Sequence, residues 1–341
     1  MDFHHNEFQT EILKTCLDSF GTTSPRLFGG DWPKVLDTCR KFELINKDNG
    51  QPYFARGSGF GLETPLLGKS YLDVSLGWRY KDFDHTCFAD NTLQRALKRI
   101  RRAAKIYRPN DVVFAELDTG SDEKNTIPSL FFQNKTPEDG DKLLAGLWDK
   151  DEEPPQWETL RQIWQKISRD WIFFLGLLEG RPHSPLRLLF YDKKLPSGKF
   201  FDFKRMEDLC QTLGIPPLGK TAREQITVLT KYAITPCPLV LDLMPDGTWG
   251  TMVGMEIFQK FPNSTTAPRR HWQELKQELL KMGLADERIH LLEDCEKMVF
   301  LPSETEAGKN LMTLSQISHI KLRWNDDNPL PAKAYLQLKT F

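Results

Sequence analysis

The chain has 341 residues, enough for a sizeable hydrophobic core in one large domain or two small ones. Its 46 Lys and Arg offset 47 Asp and Glu to a net charge of −1, so bulk charge gives no argument for a nucleic-acid partner. Aromatics at 11% argue against disorder, and no apolar run is long enough to span a bilayer.

The N-terminal MDFHHNEF lacks the charged-then-apolar layout of a signal peptide. Cys16, Cys39, Cys87, Cys210, Cys237 and Cys295 form no C-x-x-C pair. They are expected to be reduced thiols in a cytoplasmic protein. No low-complexity linker divides the chain, so a single domain over 1–341 is expected. Helices lead over 1–65, and a repeated unit fills 66–341.

In chain order, short helices are expected at 5–19 and 32–44. Residues 47–70, including GSGFG (57–61), read as a loose stretch. LDVSLGWRY (72–80) alternates as a strand does, with 85–88 as its weak partner. NTLQRALKRIRRAAKIY (91–107) puts Leu93, Leu97, Ile100, Ala104 and Tyr107 on one helical stripe. The basic KRIRR (98–102) lies opposite that stripe, as a solvated face. A strand over 111–117 pairs across a loop with 127–133, and a helix follows over 155–171. LRLLFYD (186–192) alternates and is joined by KKLPSGK to a partner at 199–203. Helices at 204–213 and 222–232 precede LVLDLM (239–244), whose hairpin turn carries Asp246-Gly247. Trp272, Leu275, Leu279 and Met282 line a helix that Gly283 ends, and a shorter helix is expected at 286–298. HIKLRW (319–324) and KAYLQLK (333–339) are paired through DDNPLP (326–331).

The result is about five hairpins separated by helices, an α+β pattern. About ten strands in one sheet tend to curl or close. A closed ten-stranded antiparallel barrel is consistent with the pattern: apolar strand faces meet helices outside and polar faces line the lumen. Such a lumen is too wide for small side chains to fill and is expected to hold water or a ligand.

GIPPLGKT (214–221) fits the phosphate-binding pattern G-x-x-x-x-G-K-[ST]. Its context does not fit. Met206, Leu209, Cys210 and Leu213 before it have helical spacing, and Pro216 and Pro217 cannot donate backbone N–H groups to phosphate. Gly214 reads as the end of one helix, and Thr221-Ala-Arg-Glu224 as the capping box of the next.

Cations gather on the polar strand faces. His319, Lys321 and Arg323 share one, Lys333, Tyr335 and Gln337 share another, and Arg187 with Tyr191 repeats the arrangement; Arg79 adds one more. Asp73, Glu116, Asp242 and Glu256 are carboxylates on inward faces. On an open sheet these are ordinary surface pairs. In a closed lumen the cations need neutralising, and a diphosphate does this well.

At these residues the chain resembles the α-β-β-α "ABBA" aromatic prenyltransferases of the dimethylallyl-tryptophan type. Their ten-stranded PT barrel carries Lys-x-Tyr and Arg-x-Lys-x-Tyr on inward strands. Lys333-Ala-Tyr335 matches the first; Arg187-x-Leu-x-Tyr191 matches the second without its middle Lys; His319-x-Lys321-x-Arg323 is a variant. Asp73-Val-Ser75 resembles the family's acidic acceptor residue and nearby Ser, with Asp in place of Glu. The expected Arg on its partner strand is replaced by Lys81 and His85.

The resemblance implies transfer of an allylic group from a prenyl diphosphate to an indole or phenol, free or in a peptide. It assigns the diphosphate to Arg79, Arg187, Tyr191, Lys321, Arg323, Lys333 and Tyr335. Asp73, or Glu256 as second choice, orients the acceptor and takes its proton, with Asp242, His319 and Gln337 at the acceptor. No prosthetic cofactor is implied. Mg2+ is an optional partner of the diphosphate, and neither nucleic acid nor membrane is a partner. The alternatives are a non-catalytic barrel that binds an acidic ligand or peptide, and a P-loop NTPase.

Overall fold

The computed structural model describes residues 9–50, 53, 59–118, 127–134, 137–148, 153–167, 170–181, 183–196, 199–259, 269–302 and 310–340. Its strands are β1 (Leu44–Asn46), β2 (Gly59–Pro65), β3 (Asp73–Arg79), β4 (Thr86–Phe88), β5 (Val112–Leu117), β6 (Ser129–Asn134), β7 (Trp171–Leu177), β8 (Leu186–Asp192), β9 (Leu239–Leu243), β10 (Trp249–Phe258), β11 (Met298–Pro302), β12 (Asn310–Asn325), β13 (Asn328–Pro329) and β14 (Lys333–Thr340). Helices are α1 (Gln9–Ser19), α2 (Thr23–Phe28), α3 (Trp32–Arg40), α4 (Gln94–Ala104), α5 (Pro137–Leu147), α6 (Trp157–Lys166), α7 (Phe203–Leu213), α8 (Lys220–Leu229) and α9 (Arg269–Lys281).

Ten strands form a ring in the order β2-β3-β5-β6-β7-β8-β9-β10-β12-β14 and back to β2, every neighbour antiparallel. Closure is made by β10 against β12, with Met252–Phe258 opposite His319–Asn325 in unbroken register. The hydrophobic core lies outside the ring. Leu62, Val74, Trp78, Val113, Leu188, Phe190, Ile257, Ile320 and Leu322 are buried on outward strand faces, in one cluster with Leu97 and Ile100 of α4, Leu209 of α7, and Leu275 and Leu279 of α9. Period-2 strands and period-3.6 helices each give one apolar face, and the two faces are buried against each other. Among the described residues no helix is long and apolar enough to cross a membrane.

The antiparallel barrel with helices outside is the expected α+β architecture, with three of the five hairpins as read. Two hairpins differ. β3 pairs with β2 and β5, whereas 85–88 supplies β4, which joins β1 in a separate two-stranded sheet. β8 pairs with β7 and β9, and 199–203 is not a strand. The barrel also begins before residue 66. Gly59–Pro65, read as loop, is its first strand. Glycines occupy the inward positions Gly59 and Gly61, so the alternation is invisible to a hydrophobic count. A Cβ on Gly61 would meet the Ser75 hydroxyl, which would have to turn away. The helix expected over 155–171 stops at Lys166, and Trp171 opens β7.

A bulge in β12 between Ile317 and His319 changes which residues face inward. Upstream, Gln316 is opposite Gln337; downstream, His319 is opposite Tyr335 and Lys321 opposite Lys333.

GIPPLGKT joins two helices. Gly214 takes φ +68° as the left-handed residue ending α7. The start of α8 is capped, though not by the expected box. The Asp327 carboxylate accepts the N–H groups of Thr221 (3.0 Å) and Ala222 (2.8 Å). A phosphate at this helix start would have to displace that carboxylate. Lys220 is exposed, 3.8 Å from Glu224. Replacing Asp327 (φ +69°) with Asn keeps a side chain that tolerates this backbone geometry but removes the negative charge and one of the two acceptors at the helix start. Asp327→Asn is expected to lower stability by about 0.3–1 kcal/mol in chemical denaturation.

Candidate functional site in the barrel lumen

The inward faces enclose a cavity of about 630 Å³. Of the residues picked out from sequence, Arg79, Arg187, Tyr191, Glu256, His319, Lys321, Tyr335 and Gln337 line it. Phe114, Phe131 and Phe174 add an aromatic wall on β5, β6 and β7, and Gly59, Gly61 and Gly77 on the adjoining β2 and β3 leave room beside it. The cavity reaches the barrel end that carries Gly59, Arg79, Val112 and Lys339. Toward the other end lies a cluster of paired charges.

Three of these pairings are made within the protein. Lys333 Nζ is ion-paired with Glu63 and lies 3.2 Å from Asp73 Oδ2, and all three residues are buried. Burial opposes the charged form of each partner. For Lys333 the carboxylates of Glu63 and Asp73 outweigh it and hold the ammonium well above its usual range. For Glu63, Lys333 and Lys321 outweigh it and push the carboxyl well down. Arg187 forks onto Asp242, with Nε–Oδ1 2.8 Å and Nη2–Oδ2 2.9 Å. Burial opposes Asp242's charge as well, but Arg187 overcomes it and lowers the carboxyl pKa. Arg181 forks onto Asp118 at 2.6 and 2.8 Å and reaches Glu116 Oε2 at 3.8 Å.

Lys321 differs from these cations. It is buried, and its one hydrogen bond among the described residues is to the Tyr335 hydroxyl at 3.3 Å. Among the described residues no carboxylate is within ion-pairing distance of it. Burial pulls its pKa down, more than Glu63 and Glu116 can restore from a distance. Tyr335 stacks on His319 with ring centroids 4.1 Å apart, and burial lowers the pKa of that imidazole. Burial and Glu256 keep the Tyr191 phenol protonated, its ring 5.5 Å from Phe174.

Asp73, expected at the acceptor, lies off the cavity under Lys333, and Asp242 lies off it against Arg187. Lys333 and Arg323, expected at the diphosphate, are also off the cavity lining, although Arg323 is on the same inward face as Lys321. The buried Nε of Arg323 has no hydrogen-bond partner. Sequence reading missed Glu63, which belongs to the unrecognised strand β2. It placed Glu116 inward without giving it a role. Glu116 lines the cavity and is 6% exposed. Burial first, and Glu63 second, raise its pKa to about 7 against the pull of Lys321 and Arg181.

No family profile matches the sequence, and no curated protein does. Solved structures do match the fold. The prenyltransferase PriB, in ternary complex with L-tryptophan and dimethylallyl thiolodiphosphate, aligns with TM-score 0.52 and 11% identity, covering 97% of this chain and 95% of that one. Its apo form aligns at 0.51, with 11% identity and the same coverage. The 6-dimethylallyltryptophan synthase from Micromonospora olivasterospora, with DMASPP and Trp, gives 0.48 at 12% identity over 96% of each chain. The shared fold is the PT barrel of aromatic prenyltransferases.

Two predictions follow from the buried charges. Lys333→Met leaves Glu63 and Asp73 buried without their cation, and unfolding is expected to show a loss of roughly 3–5 kcal/mol. For Glu116 the folded-state pKa lies above the unfolded one, so the native state binds more protons between about pH 4.5 and 7. Stability falls as pH rises through that window and levels off above it. Glu116→Gln is therefore expected to stabilise the protein at pH 8 by roughly 1–3 kcal/mol and to change little at pH 4.5.

Proposed function

We propose that the chain transfers an allylic prenyl group from a prenyl diphosphate to an aromatic acceptor within the barrel. The observation that carries this reading is Lys321, a buried ammonium beside the cavity with a tyrosine hydroxyl as its neighbour and no carboxylate in ion-pairing contact among the described residues. A buried charge without a counter-ion is costly, and an anionic ligand relieves that cost.

In this reading the diphosphate meets Lys321 and Tyr335, with Arg187 on the cavity wall and the inward Arg323 adding positive potential. These groups act most strongly where charge builds on the leaving diphosphate. The allylic carbon–oxygen bond breaks with its electron pair going to the diphosphate. The allyl cation then faces the rings of Phe131, Phe174, Tyr191 and Tyr335, which stabilise it through their π faces. Leu189 stands where the resembling family has a third cation, so fewer cations hold the diphosphate. Mg2+ enters only as a counter-ion of that ligand. The acceptor is an indole or phenol, free or carried by a peptide, and His319 and Gln337 are placed to orient it. The activity belongs to natural-product biosynthesis in the cytoplasm.

A second reading draws on the same observation. Lys321 without an ion pair among the described residues also suits a barrel that binds an acidic ligand or peptide without chemistry.

Isothermal titration with dimethylallyl and geranyl diphosphate tests the first reading. The wild type is expected to bind at least one donor. Lys321→Met is expected to weaken it tenfold or more, about 1.4 kcal/mol, with the fold intact by circular dichroism. Lys220→Ala should leave binding unchanged. Failure of the wild type to bind either donor sinks the reading, and binding without turnover across indole, phenol and peptide acceptors favours the second.

A further inference from the structure

We propose that Glu116 on β5 takes the proton from the aromatic acceptor, an inference that rests on the prenyl-transfer reading of the lumen. The four inward carboxylates read from sequence, together with Glu63, are separated by their contacts. Glu63 and Asp73 are tied to Lys333, Asp242 is forked onto Arg187, and none of the three lines the cavity. Glu116 and Glu256 do line it.

Glu256 stands opposite Lys321 in the β10–β12 register, on the side where the diphosphate is placed. Glu116 stands on the opposite side of the lumen, between Ser75 of β3 and Ser129 of β6. These two small side chains leave its carboxylate open. It is two residues from Phe114, whose register partner is Phe131, on the aromatic wall where a flat acceptor packs. Among the described residues it accepts no hydrogen bond from the protein, and the Arg181 ion pair is long, 3.8 Å to Oε2. Arg181 is itself fixed by the fork to Asp118. The carboxylate thus lines the cavity with no hydrogen bond among the described residues to hold it.

The step balances. The ring π pair forms the new carbon–carbon bond to the allylic carbon. The ring proton leaves to a Glu116 oxygen, and its C–H electron pair restores the aromatic ring. The neutral acid then releases the proton to water. The charged groups facing Glu116 are Glu63 of β2, Asp118 at the end of β5, Arg181 after β7, Arg187 of β8 and Lys321 of β12. Burial and the two acidic neighbours keep its pKa near 7, the range that suits a proton acceptor. A bound diphosphate adds negative charge and moves that value upward.

The test uses the full chain carrying Glu116→Gln, with Glu256→Gln beside it. Donor affinity by titration is expected to persist in Glu116→Gln. Turnover of the acceptor found for the wild type should fall about 10²-fold or more. Wild-type kcat/KM for the acceptor is expected to rise with pH through a midpoint at or above 7. That limb should disappear in Glu116→Gln and remain in Glu256→Gln. A ring-deuterated acceptor should show a primary isotope effect in Glu116→Gln that is absent in the wild type, because proton loss has become slow. Retained turnover with an unchanged limb overturns the assignment, as does loss of the limb in Glu256→Gln alone. A wild type that binds no donor or alkylates no acceptor overturns the prenyl-transfer reading itself, and this inference with it.

Discussion

Closure of the ring by β10 against β12 is the constraint on which the rest of the structure depends. Seven residue pairs in unbroken register turn an open sheet with one polar face into a barrel with a polar inside. On an open sheet, Lys, Arg and Asp on that face would be solvated and of little consequence. Inside a ring they are desolvated, and each must find a counter-charge, change its protonation state or stay without an ion pair at a cost. All three outcomes occur. Lys333 and Arg187 have counter-charges, Glu116 has a pKa near neutrality, and Lys321 has neither an ion pair nor an ordinary pKa.

The location of the core follows from the same closure. With apolar faces outward, the barrel buries its hydrophobic surface against helices. The lumen is left free to be polar and partly empty. Stability and function are therefore separated radially. Trp78, Phe190 and Trp324 hold the shell together, while inward residues of the barrel strands differ in size from Gly61 to Phe131 without disturbing it. The paired charges beyond the cavity are an exception. They are inward residues that hold the barrel together, because removing one partner strands another in a low-dielectric site.

Much of the fold was legible in the sequence where alternation was clean. β3, β9, β12 and β14 carry apolar residues every second position, and Asp246-Gly247 marks a hairpin turn. β2 was not legible because glycine fills its inward positions, as the loop-like GSGFG shows. β7 was hidden for the opposite reason. Trp171–Leu177 is apolar on both faces, since Phe174 joins the aromatic wall of the lumen while Leu175 and Leu177 are buried on the outward face. GIPPLGKT was legible as a junction between two helices from its glycine and prolines. The carboxylate that caps α8 comes from Asp327, 106 residues from Thr221, and no local pattern points to it.

The sequence by itself determined which side chains share a strand face: His319 with Lys321 and Arg323, Arg187 with Tyr191, Lys333 with Tyr335. A period of two fixes that and needs no partner strand. Tertiary structure alone decided which of these charges are neutralised within the protein and which are left without an ion pair among the described residues. Lys333 meets Asp73 across 260 residues of chain, and Arg187 meets Asp242 across 55. Such meetings depend on the register of strands around a closed ring. That register is set by the packing of the whole shell, and it leaves no mark in the residues nearby.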